Sequence, residues 1–335
     1  MASTKSRMKW YPWLIKPYKK IIRLHERKKA HHAILIKTQK GMGVFKLVWF
    51  ISKWLLCLKP KGTNFCDNCH GCKLMSANNH PDWHTIINEK NDVFDVDSIR
   101  VINEKIFKRA QQGNNKIIFL PNVHKLTESA VNALLKILEE PPEKNWFFLI
   151  DYNYLKLHST LKSRCFLYRL PLPLEKESLN WLKNNNKKDN ISNLTSLRIN
   201  QDSPISAKNF IESDLWDERK NLYKSLSHSI KDKNLLKILP VLCKKNTIMK
   251  IDWICLLLFD AVKTNFNERK KLINCDQIKL INFFSKKYNN ILLNKSIRKW
   301  TKCRYILSSV SSINSELLLL EQLLLWEKIL CFITP

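Results

Sequence analysis

The sequence predicts an α/β domain built on a parallel sheet, followed by an all-α region. Three observations carry this. Short apolar runs alternate with amphipathic segments through the first half of the chain. Strand signals stop after about Leu170. Residues 316–332 are apolar around much of a helical circumference, as a helix central to a bundle should be.

The predicted strands are residues 33–37, 83–87, 116–120, 146–150 and 166–170, all short and rich in Ile, Phe or Leu. Between them, residues 97–110 place Ile99, Ile102 and Ile106 at helical spacing. Thr127 is positioned to cap a helix running through Leu138, which Pro141 and Pro142 terminate. Strands alternating with helices imply a parallel sheet covered on both faces. Beyond it, residues 175–183 read as an amphipathic helix and residues 184–193 as a polar loop. Helix dominates from about Ile211, clearest over residues 235–239 (stopped by Pro240), 253–263, 278–287 and 316–332. No internal repeat is visible. A chain of 335 residues suggests two or three domains.

A hydrophobic content of 44% excludes wholesale disorder. The basic start, Met1 to Trp10, is followed by no apolar segment of the signal-peptide kind. The two most apolar stretches are broken by charge, residues 45–58 by Lys46 and Lys53, and residues 317–333 by Glu321, Glu327 and Lys328. They read as buried helices rather than membrane spans, so a soluble, cytoplasmic protein is expected. The net charge of +29 invites a nucleic-acid reading. Lys, Asn and Ile share AT-rich codons, however, and runs such as residues 183–190 and 286–294 match a composition set by genome bias. Weak, salt-sensitive attraction to DNA would then be a by-product.

The loop after the first strand is where such sheets bind phosphate, through backbone N–H groups at a helix N-terminus. A working loop reads G-x-x-x-x-G-K-[ST]. Here it reads Thr38-Gln39-Lys40-Gly41-Met42-Gly43-Val44-Phe45. Gly43 matches the second glycine and Thr38 stands for the first. Val44 replaces the phosphate-neutralising lysine, and Phe45 replaces the hydroxyl that ligates Mg²⁺. Lys46 lies two residues along the helix, turned by about 200°, and is no easy substitute. Alone, this is also how an ordinary strand-to-helix turn with two glycines reads. After the third strand, where magnesium chemistry needs acidic side chains, stand Pro121-Asn122-Val123-His124.

Cys57, Cys66, Cys69 and Cys72 have the spacing C-x8-C-x2-C-x2-C. Four thiolates can close a tetrahedron around one ion, which describes a structural zinc with no open position. Gly62 and Gly71 relax the surrounding loops, and His70 and His80 are possible substitute ligands. The other reading is reduced surface cysteines. Cys165, Cys243, Cys255, Cys275, Cys303 and Cys331 sit singly, mostly beside apolar segments, as core residues do.

Several of these segments together resemble a known family. They are Ala130-Val131-Asn132-Ala133-Leu134-Leu135-Lys136 leading into Leu138-Glu139-Glu140-Pro141-Pro142, Ser163-Arg164-Cys165, and the cysteine cluster after the first helix. Residues 8–14, His31-His32-Ala33, Gly41-Met42-Gly43 and residues 313–318 narrow the match. The chain resembles the clamp-loader branch of the AAA+ ATPases, in its bacterial form. The likeness is close over residues 8–170 and the final helix, and thin between about 184 and 300. Residues 1–7 precede the family's usual start, as an extension or a misassigned start codon would.

The resemblance implies an AAA+-type domain over residues 1–170 with a zinc module at about 57–72. It further implies a helical lid over 171–210 and an oligomerising helical collar over 211–335. It implies a subunit without catalysis of its own, binding Zn²⁺ but no ATP, at a rigid end of a five-membered ring. Its partners would be motor subunits of the gamma/tau type and a clamp-opening delta subunit. The sliding clamp and primed DNA would be met through the complex, and no membrane. Near Asp202-Ser203-Pro204-Ile205, Ile205 takes the place of an arginine that active relatives use to contact ATP. Arg164 is implied to act in trans, as an arginine finger in a neighbour's site. The alternatives are a divergent active AAA+ ATPase of the motor type and a free-standing zinc-dependent DNA-binding protein.

Overall fold

The computed structural model describes residues 10–86, 94–113, 115–152, 158–310 and 312–330. Expectations touching Met8, Lys9, Ile87, Cys331, Phe332 and residues 1–7 lie outside them. The chain divides into two compact units, residues 1–177 and 178–335.

In the first unit the elements run α1 (Ile15–Glu26), β1 (Ala33–Lys37), α2 (Val44–Leu55), α3 (His70–Ser76), β2 (Trp83–Thr85), α4 (Val96–Phe107), β3 (Lys116–Leu120), α5 (Glu128–Glu139), β4 (Asn145–Asp151), α6 (Ser159–Arg164) and β5 (Phe166–Arg169). The five strands form one sheet in the order β2-β3-β4-β1-β5, every pair parallel. Ala33 pairs with Phe147 on one side of β1, and Ile34 with Phe166 on the other. Central strands β1 and β3 are buried almost throughout, as parallel strands covered on both faces must be. On one face Ile99, Ile102 and Ile106 of α4 join Val131, Leu134 and Leu138 of α5 against Leu35, Ile118 and Leu149. The Thr127 side chain accepts a hydrogen bond from the Ala130 N–H at 3.2 Å, so the expected cap forms. Such a cap contributes about 1 kcal/mol.

On the opposite face Trp10 stacks on Phe50 at 3.8 Å. His25 is buried between Trp146 and Trp54, with ring centroids 4.4 and 6.4 Å away. Burial lowers its pKa to about 4. A histidine whose folded value lies below its unfolded value of about 6.5 stabilises the fold fully above that pH. The contribution is lost as pH falls toward the folded value, at a cost of about 3 kcal/mol at most. The melting temperature should therefore fall between pH 6.5 and 4.5. That slope should shrink in His25→Leu, and an unchanged slope would remove His25 as its source.

The second unit begins within α7 (Glu175–Asn185) and continues with α8 (Asn190–Ile199), α9 (Pro204–Glu212), α10 (Asp214–Lys231), α11 (Leu239–Leu242), α12 (Thr247–Asn265), α13 (Ile278–Lys287), α14 (Asn290–Ser309) and α15 (Ser315–Ile329). Its main core holds Trp216, Trp300 and Trp326, all essentially inaccessible. A separate small cluster gathers Leu182, Leu197 and Ala207.

Several expectations are corrected here. The loop expected over residues 184–193 is shorter, because α7 runs to Asn185 and Asp189 caps α8 by accepting from the Ser192 N–H. Pro240 does not stop a helix. Residues 235–238 are 3-10, and Pro240 sits in the first turn of α11, where a missing N–H costs nothing. The Lys- and Asn-rich run cited for its composition leads into α14, which buries Leu293, Ile297 and Trp300 behind an exposed basic face. The last helix is only half central: Leu319, Leu323 and Trp326 are buried, while Leu317 and Leu324 remain 61% and 38% exposed. One helix face can meet the core, and the remaining leucines are left outside it.

Candidate functional site

The loop after β1 leaves the carboxyl end of the sheet where β1 and β4 are neighbours and the chain crosses to the far edge. That is the position where open α/β sheets bind ligands. Gly41 and Gly43 take φ of +81° and +75°, conformations that favour glycine. Gly43 directly precedes α2 and supplies no side-chain cap. The loop is held from behind: the Thr38 N–H donates to the Asp151 carbonyl at 3.1 Å, and Trp13 Nε1 donates to the Met42 carbonyl at 2.9 Å.

The path of a phosphate loop is therefore present, with Val44 and Phe45 at the positions of the motif's lysine and hydroxyl. Val44 is buried. Phe45 lies edge-on to Phe119 and Trp83, at 5.7 and 6.2 Å between centroids. Lys46 is directed onto the Tyr11 ring, 3.9 Å from its centroid, as the helical offset implied. Asn122 directly precedes a 3-10 turn, Val123–Lys125. The backbone N–H groups and dipole of α2 remain for an anion, without the motif's lysine. Ile205 lies half-buried in the first turn of α9.

Two residues here escaped the sequence reading. Asp151, fully buried at the end of β4, has a carboxylate oxygen 3.5 Å from His124 Nδ1. The signal was an acid closing an otherwise apolar strand. Lys53 seemed only to interrupt an apolar run. It turns inward and donates to Asp67 at 2.5 Å and to Ser76 at 3.0 Å, tying the cysteine loop to α2.

Arg164 closes α6 and is half-exposed. Its neighbours fix its direction. Leu161 and Cys165 are buried, burial pushing the Cys165 thiol up to about 12, and Ser163 Oγ donates to the Thr160 carbonyl. Arg164 is thereby turned outward, where its Nε donates to Glu139 Oε1 at 3.0 Å. Glu139 ends α5, so the two motif segments meet through this pair.

The four clustered cysteines come together, their sulfur atoms all within 4.8 Å of one another. Cys57 lies 3.5 Å from Cys66 and 3.9 Å from Cys69, and Cys66 lies 4.0 Å from Cys72. A tetrahedron with metal–sulfur distances of about 2.3 Å has sulfur–sulfur edges of about 3.8 Å, so the set fits one tetrahedral ion. These separations are far beyond a disulfide bond of about 2.05 Å. Backbone N–H groups of Cys66, Cys69 and Cys72 point at the sulfurs of Cys57, Cys66 and Cys69 at 3.3–3.4 Å. Donors from Cys69 and Asn68 hold the Cys66 thiol down at about 6, while burial raises Cys57 and Cys72. Gly71 is required by space: a Cβ there would stand 2.4 Å from the Leu56 carbonyl oxygen. His70 and His80 are not brought into the sulfur cluster. Of the single cysteines, Cys165, Cys255 and Cys303 are buried and Cys275 is partly so. Cys243 is exposed, against expectation, because it follows the short α11.

A five-stranded parallel sheet with a phosphate-loop path at its carboxyl end, together with a helical second unit, defines an open α/β protein with a helical C-terminal part. The family described as DNA polymerase III, delta subunit, matches residues 15–173, and its C-terminal counterpart matches residues 213–328. The DNA polymerase III subunit delta' of Buchnera aphidicola subsp. Acyrthosiphon pisum is 62% identical over 97% of this chain and all of its own length. That of Escherichia coli K12 is 34% identical over 95% of each. A DNA polymerase III subunit gamma, from Buchnera aphidicola subsp. Schizaphis graminum, is 31% identical over 48% of this chain and 44% of its own. The chain belongs to the DNA polymerase III delta-prime subunit family. Among its described residues, no helix is long and apolar enough to cross a membrane.

Proposed function

We propose that this chain is a non-hydrolysing clamp-loader subunit that holds the ring together and completes a neighbour's ATP site with Arg164. The observation that carries this is the contrast between two sites in one domain. The chain's own phosphate loop has lost its lysine and hydroxyl to Val44 and Phe45, while Arg164 is fixed facing outward. An arginine supplied in trans neutralises charge developing on the transferred phosphoryl group. The gamma-type relative supports motor subunits as neighbours. The ring would be a hetero-pentamer of gamma/tau and delta subunits with this chain, working in the cytoplasm to load the sliding clamp on primed DNA.

The domain reading is an AAA+-like part over 1–170, a lid over 171–210 and a collar over 211–335. The small cluster around Leu197 supports a separate lid, and exposed Leu317 and Leu324, two turns apart on α15, support a collar interface. The test is co-purification with gamma and delta subunits, then DNA-stimulated ATPase with and without Arg164. Micromolar ATP binding by the isolated chain would favour the active-ATPase alternative and overturn this reading.

The cysteine set would hold a structural Zn²⁺ through Cys57, Cys66, Cys69 and Cys72, crosslinking the end of α2 to α3. The ion would supply stability and no chemistry, since no position is left open. Purified protein should contain one zinc per chain. Cys69→Ser should lose most of it and melt at lower temperature, and full retention of the metal would exclude the assigned set.

A further inference from the structure

We propose a second site, independent of the ATP machinery: the groove between α1 and β5 binds single-stranded DNA. Lys16, Lys19, Lys20 and Arg23 are exposed on α1, and Arg27 is exposed at its C-cap. At 100° per residue they fall within about one third of the helix circumference, along about 16 Å of its length. Among the described residues none of the five is in an ion pair. Glu26 is the sole acidic residue between Trp10 and Cys66, and it sits on the flank of the stripe, towards Gly62. A composition set by codon bias scatters its lysines. It does not place five cations on one arc with no acid among them.

The stripe leads into a groove lined by Lys16, Pro17, Lys20, Phe166, Tyr168 and Pro171. Phe166 is 45% exposed on β5, an edge strand of the sheet. Lys20 Nζ lies 5.7 Å from the centroid of Tyr168. A basic track beside an exposed aromatic ring is how proteins hold single strands: cations follow the phosphates and the ring stacks a base. A duplex hides its base faces and would leave Phe166 unused.

The full-length chain should be titrated against a labelled 20-nucleotide oligo(dT) and a 20-bp duplex, by fluorescence anisotropy across a salt series. The single strand should bind more tightly. The triple variant Lys16→Glu/Lys20→Glu/Arg23→Glu should weaken it at least about tenfold and lower the salt slope by about 2. The glutamine version of the same triple should give a smaller loss, guarding against a folding defect. The triple Arg269→Glu/Lys270→Glu/Lys271→Glu carries the same charge change and should have less than a twofold effect. Phe166→Ala should weaken the single strand about fivefold or more and leave the duplex unchanged. The proposal is overturned if the charge-matched control loses as much as the groove variant, if the duplex binds equally well, or if Phe166→Ala changes nothing.

Discussion

Replacing Arg164 with Ala should remove most hydrolysis at the ATP site that the proposed finger would complete, while the proposed ring should still assemble. Arginine fingers supplied in trans accelerate phosphoryl transfer by about 10³- to 10⁵-fold, so that site should fall effectively silent. Total DNA-stimulated ATPase should drop by at least its share, and by more if the sites fire in sequence. Stability should barely move, because Arg164 and Glu139 are each about half-exposed, and such pairs contribute about 0 to 1 kcal/mol. Arg164→Lys should recover little, since an ammonium lacks the planar fork that engages phosphate oxygens in pairs. Glu139→Gln should assemble and hydrolyse close to normally, because in the proposed role a neighbour's phosphate would take the place of the carboxylate that Arg164 now pairs with. Unchanged ATPase in Arg164→Ala would sink the finger. Lost activity with a broken ring on size exclusion would relocate Arg164 to assembly.

The sheet was legible because burial on both faces leaves a plain mark: apolar runs of strand length separated by amphipathic helices. Lys116–Leu120 and Ala33–Lys37 fall where the pattern put them. The cysteine set was legible because spacing alone brings sulfurs at x2 intervals to one point, and the sequence carries that spacing. What escaped was set by tertiary context. Pro240 reads as a breaker, yet the same missing N–H suits a first turn. Lys53 reads only as a charge interrupting an apolar run, yet it is buried among Trp49, Phe65 and Asp67. Asp151 and Arg219 have their partners 27 and 57 residues away in sequence, at His124 and Asp276, and no local pattern announces such pairs. The outward direction of Arg164 was expected only through the family resemblance and not from any local pattern, because it depends on Leu161 and Cys165 both being anchored inward.

Arg219→Ala should be among the most destabilising single changes in the helical unit, by about 3 to 5 kcal/mol, because it strands a carboxylate rather than merely removing a contact. The Arg219 side chain is fully buried and pairs with both oxygens of Asp276, at 2.7 and 2.8 Å, and with Asn274 Oδ1 at 2.7 Å. Its guanidinium also lies 4.7 Å from the centroid of Tyr223 and 5.2 Å from that of Trp216. Asn274 in turn donates to Asp260, which accepts from the Ile273 and Asn274 N–H groups as well. One arginine thus organises the connection between α12 and α13. Burial alone would raise the Asp276 pKa, and the hydrogen bonds and charge of Arg219 outweigh it, so the net shift is downward. A carboxyl lowered on folding stabilises fully above its unfolded value, about 3.9, and that contribution is lost as pH falls through the folded value. Without Arg219 the burial remains, opposed by the Gln277 amide and the local backbone, so the shift should move upward. The carboxyl would then destabilise the fold at neutral pH and be relieved as it takes up a proton in acid. The deficit of Arg219→Ala relative to wild type should therefore be largest near neutrality and shrink toward pH 4, as followed by urea unfolding at each pH. A deficit that stays constant with pH would mean that lost packing against Trp216 and Tyr223, and not the stranded charge, sets the cost.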